Sequence, residues 1–399
     1  MAQDEFPPIL MVMLCMRCGL GGAEKRYARV FEMLVSRPDA RHKLLINRSM
    51  LDLLRAAGIL LQHDSCLVVL DPPFRHYVQS WVVHWSKRRI LSFLHPVMGL
   101  LDALWYIWQC WQAIRECKPQ IVHPLLTGVY FSLPALLLHP EIRHVMSAYS
   151  YQFESYRDKR ILGVSLGATA KRYGMQRCHM IDALSLSIRD DLIARDIDGG
   201  KIQIAPCSFT DLSLCQPDLQ KKKWVVFLGH FVDIKNPLLL AQAVPKVLAQ
   251  DPDVHFYFLG EGYLQSQLEL LVQELKVASY VKIRFEPYPT RILNQSSIFV
   301  SLQAEENYPS QSLLEAMACG NAIVATDVGE TWRLVDEANG FRIPPTPDAV
   351  ADAIVGLLKD PLLTQRGFVS RQRVLSEHTP ERFFAYISTL YQAAAKIAL

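Results

Sequence analysis

The residues best placed to do chemistry lie in one stretch, Glu305-Glu306-Asn307-Tyr308-Pro309-Ser310-Gln311-Ser312-Leu313-Leu314-Glu315-Ala316-Met317-Ala318-Cys319-Gly320. Its pattern predicts a loop, a helix and then a strand over residues 322–325. Pro309 keeps Tyr308 out of helical geometry. Leu313, Leu314, Met317 and Ala318 share one helical face, and Gly320 is placed to stop the helix. A helix start at Ser310, Gln311 and Ser312 offers free N–H groups and the positive end of a dipole, which suits a phosphate. Glu315 lies about one turn inside. Spacing alone leaves it two readings: a ligand-facing carboxylate, or the acid of a capping box Ser312-x-x-Glu315. The preceding run, Ser297-Ile298-Phe299-Val300-Ser301-Leu302, is short and mostly apolar, as a buried parallel strand would be. The loop then falls at the carboxyl end of a strand, where open parallel sheets bind ligands.

A second candidate lies near the start of the chain. Residues 9–15 read as a buried strand, followed by Gly19-Leu20-Gly21-Gly22-Ala23-Glu24 and a helical pattern with Tyr27, Val30, Phe31 and Leu34. Strand, glycine turn and helix together can cradle a phosphate, although turns need glycine in any case. Glu24 reads equally well as a first-turn acid that complements the helix dipole. Two further pairs carry less. Cys15-x-x-Cys18 ends an apolar run and has no second pair at zinc-finger spacing. Asp251-Pro252-Asp253 precedes the strand expected at residues 254–259, at the opposite end of the sheet from these loops, and reads as a proline-containing turn. No metal site is expected.

The chain resembles the family-4 retaining glycosyltransferases, which have the GT-B fold. Their signature is an acidic residue, seven others, then Glu-Ala-Met-Ala-x-Gly. Glu315-Ala316-Met317-Ala318-Cys319-Gly320 matches its second half, and the first position falls on Asn307, beside Glu305 and Glu306. Gly21-Gly22-Ala23-Glu24 resembles the family's first-loop motif. After Trp224-Val225-Val226-Phe227-Leu228-Gly229, where the family carries Gly-Arg-Leu and a lysine four residues on, Lys235 matches and His230 takes the arginine position. An arginine is always charged and forks onto phosphate, whereas histidine is usually neutral at pH 7, so Lys235 is expected to carry more of the phosphate binding. Gly260-Glu261-Gly262 and Val328-Gly329-Glu330-Thr331 resemble the family's other glycine loops. The resemblance implies a catalytic set of Lys235, Glu315 and Asn307, with Glu315 on the donor ribose and Asn307 at the donor-sugar position. It implies nucleotide and diphosphate contacts from Gly21, Gly22, His230, Lys235, Gly260, Gly262, Ser310, Gln311, Ser312 and Glu315. No cofactor is implied; the donor, a UDP- or GDP-linked sugar, is a substrate.

The elements that must position these residues alternate along the chain. Short strands are expected at residues 43–46, 66–70, 121–123, 144–147, 181–185, 202–206 and 224–229, with helices between and after them, among them residues 51–57, 238–247, 349–358 and 382–394. Such alternation predicts doubly wound parallel sheets. The expected architecture is α/β, GT-B, two facing Rossmann-like domains with an interdomain cleft. Its parts are an acceptor-side domain at 1–217, a donor domain at 218–375 opening after the lysine-rich residues 217–223, and a final helix at 376–399 crossing back to the first domain. The length of 399 residues gives ample core for this.

Composition sets limits on function. A net charge of +3 argues against a nucleic-acid binder. Nine scattered cysteines are not a disulfide framework and point to a reducing compartment. The first residues lack the basic region and cleavage pattern of a signal peptide. Residues 74–118 are unusual: they hold Trp81, Trp85, Trp105, Trp108 and Trp111 and the cluster Lys87-Arg88-Arg89. His95-Pro96 and Asp102 interrupt the apolar run, which argues against a membrane span. A membrane-surface helix and a tryptophan core both fit the pattern.

The resemblance implies a retaining glycosyltransferase moving a sugar from a nucleotide-sugar to a hydroxyl on a glycan or lipid-linked acceptor, in cell-surface glycan or glycolipid synthesis. The expected location is cytoplasmic, at the inner membrane face. A sugar-nucleotide epimerase of the same fold and a non-catalytic GT-B subunit are the alternatives.

Overall fold

The computed structural model describes residues 6–14, 20–37, 41–59, 61, 63–71, 94–125, 128–149, 162–306 and 308–397. The chain divides into two compact units, Met1–Ala205 with Phe384–Leu399, and Pro206–Phe383. Each is built on a parallel sheet with helical crossovers, the α/β class that the alternation predicts.

The first unit has seven strands: β1 (Ile9–Met13), β2 (Lys43–Asn47), β3 (Leu67–Leu70), β4 (Ile121–Pro124), β5 (Arg143–Ala148), β6 (Met180–Ala183) and β7 (Ile202–Ile204). Their spatial order is β3-β2-β1-β4-β5-β6-β7. Every residue of β1 is buried, because a central parallel strand is covered on both faces and must be apolar throughout. The order reverses between β1 and β4, and Gly21 caps the helix that follows β1 in the chain.

A buried polar chain crosses this unit. The Tyr27 hydroxyl accepts the Val12 N–H at 3.0 Å and donates to the His123 carbonyl. The His123 ring bonds the Tyr391 hydroxyl through Nδ1 (2.7 Å) and the Ser147 hydroxyl through Nε2 (2.8 Å). Ser147 donates its single proton to Asp182, at 3.1 Å. His123 must therefore donate to Ser147 and accept from Tyr391, which fixes the neutral tautomer. Tyr386 donates to the other oxygen of Asp182, so the Pro380–Lys396 helix is tied to β4 and β6 by two tyrosines.

The Leu94–Cys117 helix packs Tyr106, Cys110, Ala113 and Ile114 inward. Its earlier turns leave Leu100 and Leu104 exposed, and Trp108 is 50% exposed. Trp105 and Trp111 are half-buried, so the tryptophans of this helix are not all core. Trp81, Trp85 and Lys87-Arg88-Arg89 lie outside the described residues. No helix among the described residues is long and apolar enough to cross a membrane.

The second unit has six strands: β8 (Lys222–Leu228), β9 (His255–Leu259), β10 (Val281–Arg284), β11 (Ser296–Ser301), β12 (Ala322–Thr326) and β13 (Gly340–Ile343). Their order is β10-β9-β8-β11-β12-β13. Alternate residues serve opposite faces. Val225, Phe227, Phe256, Phe258, Ile298 and Val300 pack with Leu240, Val244, Ile354 and Leu357 on one side. Val226, Tyr257, Leu259 and Phe299 pack with Leu314 and Met317 on the other. Burying each such side chain contributes about 1.5–3 kcal/mol before entropy is counted. The sequence reading does not anticipate β10 and β13. Both are edge strands, and Val281-Lys282-Ile283-Arg284 alternates half-buried and exposed residues in place of a continuous apolar run.

Candidate functional site

Because the six strands of the second unit are parallel, their carboxyl ends and following loops lie along one edge. The strand order reverses between β8 and β11, the switch point where such sheets open a crevice for ligands. The loops after β8 and β11 therefore meet at the position that the topology favours.

The loop after β8 is shaped by backbone contact. Phe231 N–H donates to the Glu261 carbonyl at 2.9 Å, and Gly229 N–H to the Leu259 carbonyl at 3.0 Å. A Cβ on Gly260 would stand 2.0 Å from the Gly229 oxygen, and one on Gly262 2.4 Å from the Phe231 oxygen. Only glycine allows these two loops to lie so close. His230 is exposed. A short 3-10 turn, Asp233–Lys235, follows and ends on Asn236 in the left-handed region, φ 53°. Asn236 precedes Pro237, which opens the Pro237–Leu248 helix.

This turn places Lys235 against Gln303, the second residue after β11. Its Nζ donates to Gln303 Oε1 at 3.0 Å. Burial pulls the ammonium down to about 8, since the charged form loses water there. Gln303 is itself fixed. Its carbonyl accepts the Thr326 hydroxyl at 2.6 Å, and the next residue, Ala304, donates its N–H to the Ile234 carbonyl at 2.9 Å.

Further along, Glu305 is exposed and Glu306 is half-buried. Glu306 accepts N–H bonds from Tyr308 and Glu330, both at 2.7 Å, joining the loops after β11 and β12. Asn307, the expected donor-sugar residue, lies outside the described residues. Ser310 caps the Gln311–Ala318 helix, and its hydroxyl bonds that of Ser312 at 3.1 Å. With Ser310 as cap, Ser312 is already inside the first turn. The capping box Ser312-x-x-Glu315 is therefore not the arrangement adopted, which removes one of the two readings of Glu315. Leu313, Leu314, Met317 and Ala318 are buried as their spacing predicts, while Glu315 is half-buried on another face. Gly320, at φ 71°, ends the helix in the left-handed conformation.

In the first unit, Gly22 is the first residue of the Gly22–Val35 helix, and the Gly21 N–H donates to Glu24 Oε2 at 2.9 Å. Burial raises the Glu24 carboxyl above its ordinary value. Of the two readings of Glu24, this contact is the first-turn one. Gly19, Cys15 and Cys18 lie outside the described residues.

Asp251 sits at the amino-terminal edge of the second sheet, as the sequence places it, and pairs with Lys223 at 2.8 Å. Among the described residues no group of three His, Cys, Asp or Glu side chains is arranged to hold a metal ion. Sequence reasoning missed Gln303, Thr326 and the loop-joining role of Glu306. The signal for Gln303 was its place as the first polar side chain after the apolar run of β11.

Two doubly wound parallel units in succession define a GT-B glycosyltransferase fold. Residues 222–360, about a third of the chain, match the family described as Glycosyl transferases group 1. A similar curated relative is the phosphatidyl-myo-inositol mannosyltransferase of Mycolicibacterium smegmatis, 25% identical over 232 residues, covering 57% of this chain and 55% of that protein. The chain thus spans about half the length of the curated relatives it matches. Among solved structures, Anabaena HepE in complex with UDP and glucose superposes with a TM-score of 0.73 at 14% identity, over 97% of this chain and 100% of that one. A variant of S. aureus TarM in complex with fondaparinux, alpha-GlcNAc-glycerol and UDP superposes with a TM-score of 0.70 at 14% identity, over 96% and 99%. At that identity the likeness is one of fold.

Proposed function

We propose that this protein is a family-4 enzyme that moves a sugar from a nucleotide-sugar, UDP- or GDP-linked, to an acceptor hydroxyl with retention of anomeric configuration. The observation that carries the reading is Lys235: a half-buried ammonium at the switch point of the family-matched unit, bonded to a neutral amide. Breaking the donor's glycosidic bond builds negative charge on the leaving diphosphate and positive charge on the sugar. A fixed cation in a partly dry site stabilises the first far better than water does. In this reading Lys235 meets the diphosphate, and the N–H groups at Ser310, Gln311 and Ser312 add the helix dipole. Gly260 and Gly262 admit the nucleotide to the backbone, Glu315 accepts from the ribose hydroxyls, and His230 lies beside the phosphates.

The acceptor is read as a glycan or lipid-linked hydroxyl. The names of the mannosyltransferase relative and of the TarM complex, one a phosphoinositide enzyme and one bound to saccharides, support that class. The exposed Leu100, Leu104 and Trp108 support work at a membrane surface. Glu315→Gln and Lys235→Ala test the donor assignments. Each should lower kcat/KM by at least about 100-fold, the scale of losing one preorganised charge-stabilising group, with the circular dichroism spectrum unchanged. Wild-type efficiency in either variant removes that residue from the site.

A further inference from the structure

We propose that Gln303 is a positioning residue that holds Lys235 at the β8–β11 switch point as a cation without a counter-charge, ready for a phosphate oxygen. This rests on the donor-site reading above. Gln303 presents its Oε1 to the ammonium, since its Nε2 carries only donors and would repel Nζ. The backbone that carries this amide is fixed, because the Gln303 main-chain carbonyl accepts from Thr326 and the neighbouring Ala304 N–H donates to Ile234. Gln303 is only 7% exposed, so water competes little for the bond.

Partner and place together mark Lys235. Exposed lysines of this unit take partners of either kind: Lys223 pairs with Asp251 and Lys246 with Asp348 and Asp352, while Lys222 and Lys359 bond the side-chain oxygens of Gln295 and Gln250. Half-buried Lys221 bonds the Leu293, Ser296 and Cys319 carbonyls. Lys235 is half-buried too, no carboxylate pairs with it among the described residues, and it stands at the switch point. A buried ammonium is costly, and a carboxylate would be the stabilising neighbour. An amide instead satisfies one N–H, directs the side chain and leaves the full charge for an incoming anion. Burial, which pulls the lysine down to about 8, follows from the same arrangement.

A diphosphate bound at Lys235 would restore the proton, so binding becomes linked to pH. Below about 8 the lysine is already charged; above it, binding must take up a proton and affinity falls by up to about tenfold per pH unit. Gln303→Glu would supply the missing counter-charge. The lysine then stays protonated through the range but is neutralised. Gln303→Met would remove the acceptor at similar volume, leaving the ammonium less supported, so its midpoint moves to lower pH.

The test is calorimetric titration of UDP and of GDP into wild type, Lys235→Ala, Gln303→Glu and Gln303→Met, from pH 6.5 to 9. Two buffers of different ionisation heat report proton uptake. For whichever diphosphate binds the wild type, affinity should fall above about pH 8 with net proton uptake. Gln303→Glu should bind about tenfold more weakly or worse at pH 7, with a flat pH profile. In Gln303→Met the fall in affinity should begin at lower pH. A structural role alone would not move these profiles in opposite ways. Wild-type affinity and profile in Gln303→Glu and Gln303→Met, beside a loss in Lys235→Ala, overturn this proposal alone. Undiminished binding by Lys235→Ala, or no binding of either diphosphate by the wild type, overturns the donor-site reading and this proposal together.

Discussion

The Glu306 carboxylate accepts the backbone N–H of Glu330 at 2.7 Å, fastening the loop after β11 to the loop after β12. Its other oxygen accepts the Tyr308 N–H at the same distance, just before the helix that carries Glu315. Glu306→Ala leaves both N–H groups without this partner. It should cost about 2 kcal/mol of stability, the scale of hydrogen bonds to a charged group with some solvent access. Glu306→Gln, with one acceptor oxygen, should lose about half as much. Denaturant unfolding of the two variants measures this, and equal stability of both with wild type would show that the clamp adds nothing.

Acid should weaken the first unit through His123. Burial pulls this ring down to about 3, so it stays neutral when folded while the unfolded ring takes a proton near 6.5. The unfolded state then binds more protons, and stability rises with pH across that window. The contribution is complete above about pH 6.5 and is lost as pH falls toward 3. Between pH 7 and pH 4 the loss should be about 3 kcal/mol from this one group. His123→Gln should be less stable at pH 7 but show a shallower acid slope. The same slope in both proteins would exclude His123 as the source.

Transfer should proceed in excess chelator. Lys235 and the start of the Gln311–Ala318 helix already supply positive charge where the diphosphate would sit, while Asp251 is spent on Lys223 at the other edge of the sheet. Complete loss of activity that magnesium or manganese restores would contradict this division of labour.

Binding to anionic vesicles should depend on two sets of residues. Leu100, Leu104 and Trp108 offer apolar contact, and Lys87, Arg88 and Arg89 add about 1 kcal/mol each near an anionic surface. Vesicle sedimentation should show binding that needs anionic lipid, weakens with salt and falls when the three basic residues become Ser. Trp108→Ser should weaken it as well. Absence of binding, or equal binding to neutral and anionic vesicles, would assign the acceptor to solution.

The parts of the fold legible in the sequence were those whose physics is local. β1 is buried throughout, and the centres of β8 (Val225, Val226, Phe227) and β11 (Ile298, Phe299, Val300) are buried apolar runs, whereas β10 and β13 lie at sheet edges and lack that mark. The face of Leu313, Leu314 and Met317 followed from helical spacing. Lys235 stood out only through its motif. Its partner Gln303 lies 68 residues away, and a hydrogen bond between two loops leaves no local pattern to read. Glu306 was noticed for its charge, but its partner Glu330 belongs to a loop that only the pairing of β11 with β12 brings near. Ser312 misled for the opposite reason: its spacing to Glu315 fits a capping box, but Ser310 caps the helix two residues earlier.

The central claim is that the Pro206–Phe383 unit binds the diphosphate of a nucleotide-sugar through Lys235. Thermal unfolding with UDP and GDP, in wild type and Lys235→Ala, tests it most directly. A ligand at about 100 times its dissociation constant stabilises a folded protein by about 2.7 kcal/mol. The account expects a clear rise in the unfolding temperature of the wild type with at least one of the two, and little or none in Lys235→Ala. An equal rise in both proteins, or no rise with either nucleotide, would contradict it.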